Sequence, residues 1–473
     1  MKRDIFDLDR VIYRFNDREN FSIRDAVTGV QIYGGIGSGK TSGSGANLAR
    51  AYLKAGFGGL VLCAKPDVKE EWLRYADQTG RADSVVVFDA SGKWRFPFLQ
   101  YEATRAGEGG GYTENLVRLF MTVMETAERS KGGGGDAFWQ RAMQQLLRNA
   151  IDLVLLSGTE VSLPVLYEVI TSASLSLEQR FLEEWQQTSK CWQLMEQANS
   201  NKRDEWEDHD FDLTTSYWME EFPALAPKTR SGVLAMVTSL MDMLLRRPFR
   251  MLFSSQPENP DHYLYPELTH HGLIIILDLP IKEFGDSGKI AQVLYKYVWQ
   301  QAVERRDINQ HPQPVFLWID ESQNFISEFD MQFQATARSS RCCTVYLTQN
   351  LPNYYAEMGG EHSKYRVDSL MGNMVTKIFH SNACPETNSF AADTIGRSWQ
   401  LRKGSGFSTS GGTANLSESS HQSFDYDVTP QQFTKLRKGS PVNDYKVEGI
   451  IFQNGRIWSN GKTHLLTTFI QES

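Results

Sequence analysis

Gly34-Gly35-Ile36-Gly37-Ser38-Gly39-Lys40-Thr41 decides the fold. It fits the pattern G-x-x-x-x-G-K-[ST], and Thr28-Gly29-Val30-Gln31-Ile32-Tyr33 immediately before it supplies the strand such a loop must follow. Helical periodicity over 40–54 follows it. Glycines let backbone N–H groups approach phosphate oxygens closely, and the start of the next helix adds partial positive charge. The candidate phosphate-binding residues are Gly34, Gly35, Ile36, Gly37, Ser38, Gly39, Lys40, Thr41 and Ser42. Lys40 would reach β/γ oxygens, and the Thr41 hydroxyl would take a Mg²⁺ position. Gly461-Lys462-Thr463 is a useful contrast. Its upstream glycine, Gly455, is one residue too distant, and its flanks alternate as in a hairpin, so it reads as a turn.

The chain around this loop has 473 residues, 41% hydrophobic and 22% charged, which describes an ordinary globular protein of two or three units or one domain with an insertion. Short apolar runs alternate with amphipathic stretches over 28–107 and again after about 229, the pattern of a mostly parallel, twisted α/β sheet. Strands are predicted over 30–33, 60–64, 85–88, 273–279, 315–319, 344–348 and 374–380, the last of these the last parallel strand. Pro66 opens a helix at a favoured first-turn position, and further helices are predicted over 231–246 and 289–305. Between about 112 and 227 the periodicity is helical almost throughout. Leu116, Leu119, Phe120, Val123 and Met124 make one stripe, and Trp139, Met143, Leu146, Leu147, Ile151 and Leu155 another.

The domain expectation is therefore an ATPase-type α/β part over 1–107 and 229–400, an inserted all-α domain over 108–228, and a mobile loop with a small β-rich segment over 401–473. Lys131-Gly132-Gly133-Gly134-Gly135 reads as a flexible loop. Residues 405–420, rich in Ser, Gly and Thr, read as another. Asn454-Gly455 and Asn460-Gly461 punctuate the short strands expected at the end.

Composition narrows the function classes. No apolar run approaches the ~20 residues needed to span a bilayer, and Met1-Lys2-Arg3-Asp4 opens no secretory signal. Five cysteines without a C-x-x-C pair argue against a disulfide framework and a zinc site, and a reducing cytoplasm is expected. His270-His271 reads as a turn before a strand. A net charge of −8 means that any nucleic-acid contact must be local, such as a pore or one face.

Hydrolysis needs a metal anchor and a base. Trp318-Ile319-Asp320-Glu321 offers both at the carboxyl end of an apolar strand, with Asp320 on the metal side and Glu321 polarising water. Gln349 ends the next strand, where a neutral amide can sense a γ-phosphate. Arg338 and Arg341 lead into that strand, and either could be an arginine finger.

With these residues together, GGIGSGKT, VFLWIDESQNF, TARSSRCCTVYLTQN and MVTKIFHSNACPETNSFAADTIG resemble the coupling-protein ATPases of type IV secretion and conjugation (TraG/TraD type), within the FtsK/HerA class of ring-forming DNA motors. Cys63-Ala64-Lys65-Pro66-Asp67 stands where that family often has an Asp-Pro-Lys-like turn. The resemblance implies a RecA-like P-loop NTPase fold with ATP and Mg²⁺ as cofactors, and Lys40, Glu321, Gln349 and Arg338 as catalytic residues. It implies Thr41 and Asp320 on the metal, and a homo-oligomeric ring, a hexamer, with Arg338 (Arg341 in reserve) supplied by the neighbour. DNA of either strand type is the implied partner, with relaxase-like or secretion-channel proteins beside it. Family members usually begin with transmembrane helices, whereas this chain begins almost directly with the nucleotide-binding part. No direct membrane insertion is expected, and the location is cytoplasmic, peripheral to the inner membrane through a partner. A HerA-like ATPase serving a nuclease and a protein-substrate adaptor are the alternatives.

Overall fold

Apolar runs become strands here because β-branched and aromatic side chains fill both faces of a sheet covered on both sides. The computed structural model describes residues 5–129, 137–410 and 413–471. A small antiparallel hairpin, β1 (Val11–Arg14) and β2 (Asn20–Ser22), comes first. It is followed by β3 (Val30–Tyr33), β4 (Gly58–Leu62), β5 (Val85–Asp89), β6 (Ile274–Asp278), β7 (Val315–Ile319), β8 (Cys342–Thr348) and β9 (Thr376–Phe379). The last strands are β10 (Arg397–Ser410), β11 (Thr413–Tyr426), β12 (Lys446–Gln453) and β13 (His464–Ile470).

One 9-stranded sheet has the order β13-β12-β9-β3-β8-β7-β4-β6-β5. From β9 to β5 every neighbouring pair is parallel, while β12 and β13 close one side in antiparallel register. This is the mostly parallel α/β architecture expected, with its β-rich end added to the same sheet. Successive strand residues alternate between two cores. Tyr33, Leu62, Leu277, Leu317 and Tyr346 face one, and Ile32, Val61, Ile276, Trp318 and Leu347 face the other.

The helices Thr113–Arg129 and Ala137–Leu156 carry the predicted stripes, and Leu163–Thr171, Lys190–Asn201 and Glu205–Ser216 continue the helical stretch. Met143, Leu146, Leu147 and Ile151 belong to the same apolar cluster as Leu62 and Leu277, so this helical region shares one core with a face of the sheet. The helix Pro227–Leu245 runs unbroken across residue 228 and packs on Ala137–Leu156 and Leu163–Thr171.

Three local differences have physical causes. The stretch expected as helix from residue 40 begins with a π-turn, Thr41–Gly45, in which the Gly45 N–H donates to the Lys40 carbonyl at 2.9 Å. A Cβ at Gly45 would stand 2.9 Å from that carbonyl oxygen, so the wide turn depends on glycine there. The helix Ile281–Arg305 starts before residue 289 and is broken at Gly285, whose φ is 55°. The loop expected over 405–420 is instead largely ribbon: β10 and β11 pair antiparallel from Arg397↔Tyr426 to Ser410↔Thr413. A two-stranded ribbon outside the large sheet needs no apolar alternation, and polar composition cannot tell it from a loop. The predicted loop 131–135 lies outside the described residues. Among the described residues no helix is long and apolar enough to cross a membrane.

Candidate nucleotide-hydrolysis site

The carboxyl ends of β3, β8, β7 and β4 lie side by side, and each is followed at once by a polar segment. After β3 the glycine loop is tied down by backbone hydrogen bonds from Gly34 N–H to the Thr348 carbonyl (3.2 Å) and from Gly35 N–H to the Ser381 carbonyl (2.9 Å). Gly39 has φ +81° and lies against β12, where a Cβ would stand 2.5 Å from Val447 Cγ2. Only glycine meets both demands. Ser38 Oγ is buried with no hydrogen-bond partner among the described residues, and a phosphate oxygen would supply one. Ile36 is exposed at the tip of the loop, and the Ser42 hydroxyl accepts from the Gln471 amide at 2.9 Å.

The acidic pair reaches this loop across β8. Thr41 Oγ1 donates to Asp320 Oδ2 at 2.9 Å. A hydroxyl and a carboxylate so joined form a hard oxygen pair that suits Mg²⁺. Burial raises the Asp320 carboxyl above its usual value, while Lys40 and the Thr41 hydroxyl work against the rise.

Glu321 occupies a left-handed backbone conformation, φ 51° and ψ 46°, unusual for a side chain with a Cβ. Both of its oxygens are held. Oε1 receives Lys65 Nζ at 3.2 Å and Gln349 Nε2 at 3.1 Å, with Lys40 Nζ at 3.9 Å. Oε2 receives Gln323 Nε2 at 3.0 Å. Burial pushes the Glu321 carboxyl up, but the two amides and two lysines outweigh it, and the net pKa is lowered. The carboxylate is thus kept charged, as a proton acceptor must be. The strain at φ 51° marks the same residue.

Lys40, Thr41, Asp320, Glu321 and Gln349, picked out by sequence, therefore come together. Arg338 does not join them. It is exposed in the turn before β8, at the amino edge of the sheet, the opposite edge from the glycine loop. Arg341 lies on that edge too, and its guanidinium donates to the carbonyls of Phe6 (3.1 Å) and Pro312 (2.8 Å).

Four residues given no role by sequence belong to the site. Lys65 sits in the turn after β4, inside a stretch singled out only for its likeness to an Asp-Pro-Lys turn. Gln323 lies two residues beyond Glu321, and its carbonyl accepts from Thr348 Oγ1 at 2.8 Å. Asn382 donates to the Gln349 carbonyl at 2.7 Å. His380 follows β9 and bonds Ser44 Oγ through Nε2 at 2.7 Å and the Glu448 carbonyl through Nδ1 at 2.8 Å. A carbonyl only accepts, so Nδ1 carries the proton and Nε2 accepts from the serine.

The geometry of this site and sheet was compared with known proteins. No family model and no curated protein matches the chain. Solved structures do. The bacterial conjugative coupling protein TrwBΔN70, unbound, superimposes with a TM-score of 0.64 at 12% identity, over 98% of this chain and 89% of that one. The chain has the fold of a conjugative coupling protein. TrwB in complex with ADP and Mg²⁺ gives a TM-score of 0.60 at 11% identity, covering 98% of this chain and 90% of that chain. TrwB with the non-hydrolysable ATP analogue ADPNP gives 0.59 at 12% identity, covering 95% and 87%. The coupling-protein fold is RecA-like, in agreement with the expectation from GGIGSGKT and VFLWIDESQNF.

Proposed function

We propose that this chain is an ATP-hydrolysing, ring-forming motor that moves or recruits DNA, alone or with attached protein, in a conjugation-like or type IV secretion-like setting. The observation that carries the reading is the 2.9 Å contact between Thr41 and Asp320, which joins the glycine loop to the acidic pair across an intervening strand. The nucleotide complexes of TrwB, with ADPNP and with ADP and Mg²⁺, support the same choice of ligand.

In this reading the loop amides and Lys40 bind the β- and γ-phosphates, and Thr41 with Asp320 would hold Mg²⁺. Mg²⁺ when bound neutralises charge on the phosphate oxygens. Glu321 accepts a proton from the attacking water. Gln349, bonded to Glu321, links the state of the γ-phosphate to β8 and to Asn382. Arg338, at the far edge of its own sheet, would serve a neighbouring subunit, which calls for a closed ring such as a hexamer. DNA passing through such a ring would need only a local ring of Lys or Arg side chains, which the acidic net charge permits.

The test is steady-state ATP hydrolysis with and without single- and double-stranded DNA at low salt, with Lys40→Ala as control and mass followed by light scattering. DNA-stimulated hydrolysis by an oligomer, abolished in Lys40→Ala, is expected. Hydrolysis indifferent to DNA across salt concentrations would sink the motor reading.

A further inference from the structure

A cleft of about 820 Å³ opens at the edge of the sheet opposite the glycine loop. Its floor is built from residues that precede parallel strands. His270 is the penultimate residue of the segment Pro266–His271 leading into β6, Arg305 ends the helix Ile281–Arg305, and Arg306 and His311 lie between that helix and β7. β6 and β7 have 5 residues each, so about 16 Å of strand separates this floor from Asp320.

Two groups in the floor each have a buried nitrogen without a hydrogen-bond partner among the described residues. His270 is 6% exposed, and its Nε2 makes no hydrogen bond among the described residues. Arg306 is 8% exposed. Its terminal nitrogens donate to the carbonyls of Gln313 (2.8 Å) and Ser340 (2.5 Å), while Nε has no acceptor and no carboxylate pairs with it among the described residues. A buried cation without an anion is unfavourable, and so is a buried donor left unmade. Arg305 adds a second positive group that reaches Glu102 only at 3.9 Å.

The wall is aromatic. Tyr263 and Tyr265 stack with ring centroids 4.1 Å apart and planes 14° from parallel, and Tyr265 is 43% exposed. A further planar ring can extend such a stack. Two carboxylates also line the cleft, and the buried Glu102 stands behind Arg305. Glu267 accepts from the Tyr101 hydroxyl at 2.5 Å, and Glu108 stands on the exposed rim.

We infer that this cleft binds a nucleotide unit, with its phosphate on Arg305, Arg306 and His270 and its base against the exposed part of the Tyr265 ring. The unit is either a free nucleotide or one residue of a single strand. The strand form rests on the DNA partnership proposed above, and the free form does not. No residue of the glycine loop lines the cleft, so the site is separate from the one that hydrolyses ATP.

The test measures binding of a fluorescein-labelled oligo(dT) by anisotropy, and of dTMP by calorimetry, to the full chain and to Tyr265→Ala, Arg305→Ala and Lys40→Ala. Tyr265 and Arg305 are partly exposed, so both replacements leave the core intact. Tyr265→Ala should weaken binding roughly 5- to 100-fold, the worth of one stacked base. Arg305→Ala should weaken the strand and reduce its salt slope by about one. Lys40→Ala should change neither ligand. An effect on the oligonucleotide alone identifies the strand as the source, and an effect on dTMP as well identifies the nucleotide unit by itself. Unchanged affinity in both cleft variants, or no binding of either ligand to the parent chain, overturns the inference. ATP hydrolysis by the same preparations is read separately, so a failed cleft and a failed motor give different results.

Discussion

Lys65 and Glu321 meet at 3.2 Å although 256 positions separate them, because β4 and β7 are neighbours and both residues follow the carboxyl ends of those strands. The lysine adds to the amides of Gln323 and Gln349 in keeping Glu321 charged. Its own pKa is affected by burial, which lowers it, and by Glu321 and Asp320, which together raise it overall.

Lys65→Met should therefore raise the Glu321 pKa and move the acid limb of the kcat–pH profile to higher pH. At neutral pH kcat should fall roughly tenfold, with KM for ATP within about twofold, because Lys65 touches the base and not the glycine loop. A raised KM with unchanged kcat would make Lys65 a binding residue instead.

Glu321→Gln keeps the shape of the side chain but removes the proton acceptor. Single-turnover hydrolysis should drop by on the order of 10²- to 10⁴-fold while ATP binding, followed by a fluorescent analogue, persists. A variant that hydrolyses at close to the parent rate would take the base role away from Glu321. Transfer activity that survives without hydrolysis would favour a protein adaptor over a motor.

Gly39 and Val447 should be coupled energetically. Gly39→Ala meets Val447 Cγ2 at 2.5 Å and keeps an unfavourable φ of +81°, so it should cost about 1–3 kcal/mol in thermal or denaturant unfolding. Adding Val447→Ala removes the collision but not the backbone strain. The double variant should be more stable than the sum of the two single effects by about 0.5 kcal/mol or more. Strict additivity would place the whole cost in φ.

His380 predicts an acid dependence of stability. Burial pushes its pKa down to about 4, with Lys40 adding to the fall and the bond to the Glu448 carbonyl opposing it. Above about pH 6.5 the ring is neutral in folded and unfolded chains alike. Below that, the unfolded chain binds a proton that the folded one refuses, so stability declines toward pH 4 by about 1.4 kcal/mol per unit. Between pH 6.5 and 5 the parent should lose roughly 2 kcal/mol more than His380→Gln in urea unfolding. Parallel pH profiles for the two proteins would show that this ring does not titrate on unfolding.

The glycine loop, the acidic pair and Gln349 were legible because each is a local signal: a glycine spacing, or a polar residue closing an apolar run. The helices Thr113–Arg129 and Ala137–Leu156 were equally legible from their stripes. Lys65, Gln323 and His380 carried no such signal, since their roles depend on what stands opposite them. The ribbon of β10 and β11 was missed because a two-stranded ribbon outside the large sheet needs no apolar alternation and so has the composition of a loop.

By itself the sequence determined the central strands of the sheet, most of the helical stretches, and which strand ends carry the glycine loop and the acidic pair, because spacing and periodicity act over a few residues. The order β9-β3-β8-β7-β4 could not be read from it. An apolar pentad such as Val315–Ile319 is compatible with any interior place in a parallel sheet covered on both faces. Only the collective packing of helices on those two faces chose the neighbours. That choice set Lys65 on Glu321, Val447 beneath Gly39, and Arg306 and His270 in one cleft at the far edge.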